Sequence, residues 1–185
     1  MKATDELKKE HDAVKLILDV LDVIASRLSL GQKIDTVHLE KIIEVLQIFV
    51  DKCHHAKEER MLFAAMREAG DEEDRHEILM LLAEHQTGRL YISDLIQATG
   101  KYKKGDREAA KKMVENIRSY VVLISQHIDR ENNGLFQIAD ERLSEQKQYQ
   151  LYHEFDKLEE EEIGHGKHEQ FHEIIKNLKE IYLGK

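Results

Sequence analysis

Apolar residues recur along this chain with the alternating three- and four-residue spacing that lines one face of a helix. Leu7, Val14, Leu18, Leu21, Ala25 and Leu28 make the first such stripe, with Thr4 or Asp5 placed to cap its start and Gly31 to end it. The spacing predicts a second helix from Asp35 or Thr36 to Gly70, with Leu39, Ile43, Leu46, Val50, Met61 and Ala65 on one face. A third follows the acidic turn Gly70-Asp71-Glu72-Glu73-Asp74, carries Ile78, Leu81, Leu82, Ile92 and Leu95, and ends near Gly100. A fourth opens after Gly105-Asp106 and carries Met113, Ile117, Val121, Ile124 and Ile128. Two shorter helices complete the chain, one from Ser144 to about Ile163 and one from the Gly164-His165-Gly166 break to the C-terminus. No segment alternates with period two for long enough to make a strand. The pattern predicts an all-α fold: an up-down-up-down four-helix bundle over residues 1–142, with a C-terminal helical extension, residues 143–185, packing on it.

Composition narrows the setting. At 185 residues, 41% hydrophobic and 35% charged, the chain has the make-up of a soluble globular domain large enough to bury a core. No apolar run is long enough to span a bilayer, and the N-terminal Met1-Lys2-Ala3-Thr4-Asp5-Glu6 is too charged for a secretory signal, so no membrane association is expected. A net charge of -9 argues against nucleic acid. The single cysteine, Cys53, excludes an internal disulfide and fits a reducing, cytoplasmic setting. Two counts stand apart: there is no proline, which suits long uninterrupted helices, and there are eleven histidines, which prompt a search for metal ligands.

That search finds an internal similarity. Cys53-His54-His55-Ala56-Lys57-Glu58-Glu59-Arg60-Met61-Leu62-Phe63 aligns with Gln126-His127-Ile128-Asp129-Arg130-Glu131-Asn132-Asn133-Gly134-Leu135-Phe136, sharing His-x-x-x-Glu followed by Leu-Phe at the same offset. Spacing of i, i+4 sets His54 beside Glu58, and His127 beside Glu131, on the apolar face of each helix. A carboxylate on such a face costs several kcal/mol unless paired with positive charge. No lysine or arginine shares these stripes at that level, so a metal cation is the economical partner.

The other two helices each place a histidine on the apolar stripe, His11 and His85. At 1.5 Å per residue, His11 and His54 both lie roughly 27 Å from the loop joining their helices, and the next loop sets His54 and His85 at similar depths. A lone histidine on an apolar stripe is ordinarily a satisfied core residue. Four at one depth, two with a carboxylate one turn on, form a constellation.

These motifs resemble the hemerythrin-like family, also called the hemerythrin HHE cation-binding domain, over roughly residues 5 to 140. The resemblance implies two iron ions in a non-haem site within the bundle. His11 and His54 would hold one iron, His85 and His127 the other, and Glu58 and Glu131 would bridge them. Imidazole and carboxylate also suit manganese or zinc. His55 and Glu59 form a competing i, i+4 pair, and the alignment with His127, Glu131 and Phe136 favours the 54/58 register.

Two positions depart from the family. Oxygen-carrying hemerythrins have a fifth histidine one turn before the third-helix ligand, where this chain has Leu81, with Arg89 one turn after that ligand. The missing histidine is expected to leave one iron with an extra open or water-filled position. The family's usual proline after Leu-Phe is here Ala64 and Gln137, which lets helices 2 and 4 run on.

Weaker signals take plainer readings. His168-Glu169-Gln170-Phe171-His172 matches the zinc-protease His-Glu-x-x-His pattern, but too little chain follows to supply the third ligand. His165, His168 or His172 could instead cap the bundle near the open metal position, or lie on the surface. Glu159 to Glu162 read as a solvated face, Cys53 as a small buried residue, and Tyr120 as core.

The expected function is a non-haem di-iron protein that binds or senses oxygen or nitric oxide, or reacts with peroxide. The alternatives are a redox enzyme (peroxidase, oxidase or nitric oxide reductase), served by an unidentified electron donor, and an iron-responsive structural module.

Overall fold

The computed structural model describes residues 1–70 and 72–184. The chain is all-helical, with no strand among the described residues. Six helical rods follow one another: α1 (Ala3–Ser29), α2 (36–69), α3 (Glu72–Lys103), α4 (107–142), α5 (145–163) and α6 (Lys167–Tyr182).

Their ends follow from local chemistry. Gly31 and Gly105 adopt left-handed φ of 73° and 89°, and each lets the next residue's N–H reach back to a carbonyl five residues earlier: Gln32 to Arg27 at 3.0 Å, Asp106 to Lys101 at 3.2 Å. Helix α3 therefore runs past Gly100 to Lys103. Asp35, Asp106 and Ser144 cap α2, α4 and α5 with their side-chain oxygens. At α1 the expected cap moves. The helix starts at Ala3, whose N–H donates to Gln148 Oε1 on α5 at 3.1 Å, and Thr4 Oγ1 donates to Asp140 Oδ1 at 2.6 Å instead of capping. Of the expected acidic turn, Glu72, Glu73 and Asp74 form the first turn of α3, while Asp71 lies outside the described residues, as does Lys185.

α1 and α3 each pack along α4, and α5 and α6 lie against α1 and the middle of α2. Two apolar clusters result. The larger gathers Ala13 to Leu28, Ile34 to Val50, Ile92 to Ala98 and Met113 to Ile128 with Phe171, Ile175 and Leu178 of α6. The smaller gathers Ala3, Leu7, Leu62 to Met66, Ile78, Leu81, Leu135 and Phe136 with Leu151 and Phe155 of α5.

Between the clusters each of α1 to α4 crosses a short polar stretch, and that layer holds the histidines and glutamates singled out above. Each large apolar side chain taken from water contributes roughly 1.5–3 kcal/mol. The two clusters together can therefore offset a buried polar layer whose ions cost several kcal/mol each.

Candidate metal centre

All six residues of the sequence constellation meet in this layer. His11, His54, His85, His127, Glu58 and Glu131 are each at most 2% exposed. Within helices, His54 Nε2 lies 3.3 Å from Glu58 Oε1, and His127 Nε2 lies 3.2 Å from Glu131 Oε2. Between helices, His11 Nε2 lies 3.6 Å from Glu58 Oε1 and 3.3 Å from Glu131 Oε2. His85 Nε2 lies 3.5 Å from Glu58 Oε2 and 2.9 Å from His127 Nε2. The two oxygens of Glu58 thus face different histidines, and one oxygen of Glu131 sits between His11 and His127.

Two overlapping sets of donors emerge. One atom from each of His11, His54, Glu58 and Glu131 falls within 4.8 Å of the others; the same holds for His55, Glu58, His85 and His127. His55, set aside at the sequence level as the wrong register, is therefore part of the layer.

A ring of outer partners, unseen in the sequence, turns the imidazoles inward. Nδ1 of His54 meets Glu10 Oε2 at 2.8 Å, and Nδ1 of His127 meets Glu84 Oε2 at 2.9 Å. Nδ1 of His85 meets Glu59 Oε1 at 2.8 Å, and Nδ1 of His11 meets Asn132 Oδ1 at 2.9 Å. An ionised carboxylate only accepts, so Nδ1 donates and the Nε2 lone pair is left for the interior.

These partners repeat between the two halves of the chain. Glu10 precedes His11 as Glu84 precedes His85; Glu59 follows Glu58 as Asn132 follows Glu131. The cation before each central glutamate closes the pattern, Lys57 pairing with Glu10 and Arg130 with Glu84. Glu-His in one helix with His-x-x-(Lys/Arg)-Glu in the next was the sequence signal available for them.

The backbone repeats as well. Glu58–Leu62 and Glu131–Leu135 are both π-helical, with the N–H of Phe63 and Phe136 donating to Glu58 and Glu131 carbonyls. π turns of this kind favour functional sites. Phe136 stacks on His11 (centroids 5.4 Å apart) and Phe63 on His85 (6.0 Å).

The donor chemistry fits a metal. Both oxygens of Glu58, both of Glu131 and Nε2 of His11 are buried without a hydrogen-bond partner, which a native interior rarely tolerates. Burial opposes a charge on His11, yet Glu131 and Glu58 outweigh it and raise its pKa to about 9. Burial likewise opposes charge on His127, and Glu131 and Glu84 raise its pKa to about 10. Protons and metal ions thus compete for the same nitrogens.

The fully buried Lys57 does not serve Glu58, its neighbour in sequence. It pairs with Glu10 and Glu159. Burial alone would raise Glu10, but His54 and Lys57 draw its pKa down to about 2. A third group of donors, Glu10, Cys53, Glu159 and His168, surrounds this lysine, whose ammonium already supplies the positive charge.

Comparison with known families agrees with this geometry: the hemerythrin HHE cation binding domain matches residues 2–139. The chain belongs to the hemerythrin HHE cation-binding family. Hemerythrin-like domains bind metal cations, commonly iron. Relatives include an uncharacterized protein of Mycobacterium bovis and uncharacterized proteins of two Mycobacterium tuberculosis strains. Each is 24% identical over 134 residues, which is 72% of this chain and 52% of the relative. The chain thus spans about half the length of these curated relatives. No solved structure matches it.

The hemerythrin-like site also accounts for the departures noted in the sequence. Leu81, in place of a histidine, is fully buried in the smaller apolar cluster. Arg89 binds Asp51 Oδ1 and Glu59 Oε1, each at 2.7 Å, and so braces the carboxylate that orients His85. Ala64 and Gln137 stand within unbroken helix, and α2 and α4 continue to Ala69 and Arg142.

The C-terminal histidines lie elsewhere. His168 pairs with Glu159 at 3.0 Å and packs edge-on to Phe49, as does His172, while His165 is exposed. None of the three belongs to either His/Glu set. Glu159 is accordingly not part of a wholly solvated face: Lys57 and His168 draw it inward. Cys53 is a free, fully buried thiol whose pKa is pushed up by that burial. Tyr120 is core, 3% exposed.

Proposed function

We propose that the protein holds two iron ions in the layer between α1 and α4 and uses them to bind or sense oxygen or nitric oxide, or to react with peroxide. In this reading residues 1–142 form an up-down-up-down four-helix bundle and residues 143–185 an extension on it. His11 and His54 hold one ion, His85 and His127 the other, and Glu58 and Glu131 lie between the two. The observation that carries the reading is Glu58: a buried carboxylate with no hydrogen-bond partner, one oxygen turned to His11 and His54, the other to His85. A carboxylate shared between two cations meets that description, whereas a structural one does not.

Iron, when bound, supplies a redox-active Lewis acid with positions for a small exogenous ligand. The chain's own residues do the rest. Glu10, Glu59, Glu84 and Asn132 hold protons on Nδ1 and keep every Nε2 facing in. Phe63, Phe136 and the apolar clusters above and below restrict water and favour small apolar ligands.

The test is the absorption spectrum of iron-loaded, anaerobically reduced protein as air is admitted and then removed. A visible band that appears and then fades supports reversible binding. Prompt, lasting conversion to an oxidised spectrum contradicts it and assigns the site to oxidase, peroxidase or nitric oxide chemistry, with a reductant then required.

A further inference from the structure

The two halves of the layer correspond position by position, and the outer partner Glu59 is replaced by Asn132 in the second half. His11 corresponds to His85, His54 to His127, Glu58 to Glu131, Glu10 to Glu84, Glu59 to Asn132, and Phe63 to Phe136. His55 corresponds to Ile128, an ordinary core residue at 1% exposure. His55 is itself only 4% exposed, and it carries the same features as the four histidines already placed at the metals.

Its ring lies on that of His85, with centroids 3.8 Å apart and planes 18° from parallel, and it meets His127 edge-on at 6.2 Å. A ring nitrogen of His55 falls in the second donor set, within 4.8 Å of donor atoms from Glu58, His85 and His127. Nδ1 of His55 faces an outer carboxylate, Asp51 Oδ1, at 3.4 Å, a longer contact than the 2.8 Å of His85 to Glu59. Asp51 is thus the counterpart, for His55, of Glu59 for His85, and Arg89 braces both carboxylates. Outer oxygens of this kind orient metal-bound imidazoles and raise their basicity. A core histidine needing only satisfaction has no reason to sit in a donor set against two other imidazoles.

Neighbouring residues on a regular helix diverge too far to serve one site together. Here Val45–His55 is π-helical. Its i→i+5 bonds fan successive side chains through a smaller angle, so His54 and His55 both reach the layer.

We propose that His55 is a fifth imidazole ligand, serving the metal position of His85 and His127. It supplies from α2 the histidine that Leu81 fails to supply from α3. The two positions then differ: three imidazoles serve one metal and two the other, so the extra open position expected opposite Leu81 is filled. The metal of His11 and His54 keeps fewer imidazoles and is the place for an exogenous ligand. The inference rests on the two-metal reading above.

The test loads the full chain with cobalt(II) alone and counts exchangeable, hyperfine-shifted ring N–H signals by proton NMR. Each imidazole bound through Nε2 retains an Nδ1 proton close to the paramagnetic ion and contributes one such signal. Two cobalt ions per chain with five signals, reduced to four in both His55→Phe and His55→Gln, is the expected result. Two ions with only four signals in the unsubstituted protein overturns the role of His55 and leaves the two-metal reading standing, whether or not the variants fold. Five signals that persist in His55→Phe overturn it equally. Fewer than two ions per chain overturns the two-metal reading, and this inference with it.

Discussion

His85 and His127 present their Nε2 atoms to one another at 2.9 Å. Each donates its other ring proton outward, to Glu59 and Glu84. Two neutral imidazoles so oriented turn lone pair to lone pair, an arrangement that is favourable only with a cation between them. In the proposed two-metal site that cation is a metal ion, and a proton takes its place when metal is absent.

A pH dependence follows. His11 and His127, raised to about 9 and about 10, are protonated at neutral pH when no metal is bound. A metal ligand must shed that proton. Metal uptake should therefore release protons, and apparent affinity should rise with pH until about 9 to 10, read by calorimetry in buffers of different ionisation enthalpy. For folding the sign is opposite. Pairing raises both groups above the 6.5 of an unfolded histidine, so their stabilisation is full below pH 6.5 and lost as pH rises through about 9 and 10. Metal-free protein should have a lower Tm at pH 10 than at pH 7, a loss that metal-loaded protein avoids.

The proposed ligands are testable by stoichiometry. Glu58→Ala removes the donor common to both sets, and Glu131→Ala removes the oxygen between His11 and His127. Each should bind fewer than two metals per chain by elemental analysis. His168→Ala, whose side chain meets Glu159 and Phe49, should keep the full complement.

The outer ring predicts a paired effect. Glu10→Ala and Glu84→Ala free the Nδ1 of His54 and His127 in equivalent ways. Loss of such a partner typically weakens metal affinity about 10–100-fold. Both variants should fall in that range in competition with a chelator; an effect of one alone would break the correspondence between the halves.

Lys57 offers a stability test. Its ammonium is buried between Glu10 and Glu159. Removing one partner of a buried ion pair costs about 3–5 kcal/mol because the other charge stays behind. Lys57→Met should lower the denaturation free energy by about that much, and adding Glu10→Gln should recover part of it. A loss below about 1 kcal/mol would place the pair among those that contribute little.

The six central histidines and glutamates were legible because each is a residue type out of place on its stripe. His11 among Leu7 and Val14, or Glu58 after Val50, breaks a pattern that the helix period makes strict. The helix end at Gly31 and the helix start after Gly105-Asp106 were legible because their chemistry is local, whereas the third helix runs past the expected end near Gly100 to Lys103. What stayed hidden depends on contacts between helices. Glu10 and Glu84 look like ordinary exposed helix carboxylates until a neighbouring helix brings His54 and His127 within 2.9 Å. Lys57 and Glu159, 102 residues apart, meet only because α5 lies across α2. His55 was hidden by geometry: on an α-helical wheel His54 and His55 exclude one another, and only the π winding admits both.

Iron content decides the central claim most directly. Metal-free protein, loaded anaerobically with ferrous iron, freed of excess and then oxidised, should retain two irons per chain. Its Mössbauer spectrum in a small applied field should show a spin-coupled, diamagnetic ground state, as two ferric ions sharing Glu58 and Glu131 require. One iron per chain, or two that remain magnetically independent, would contradict the account.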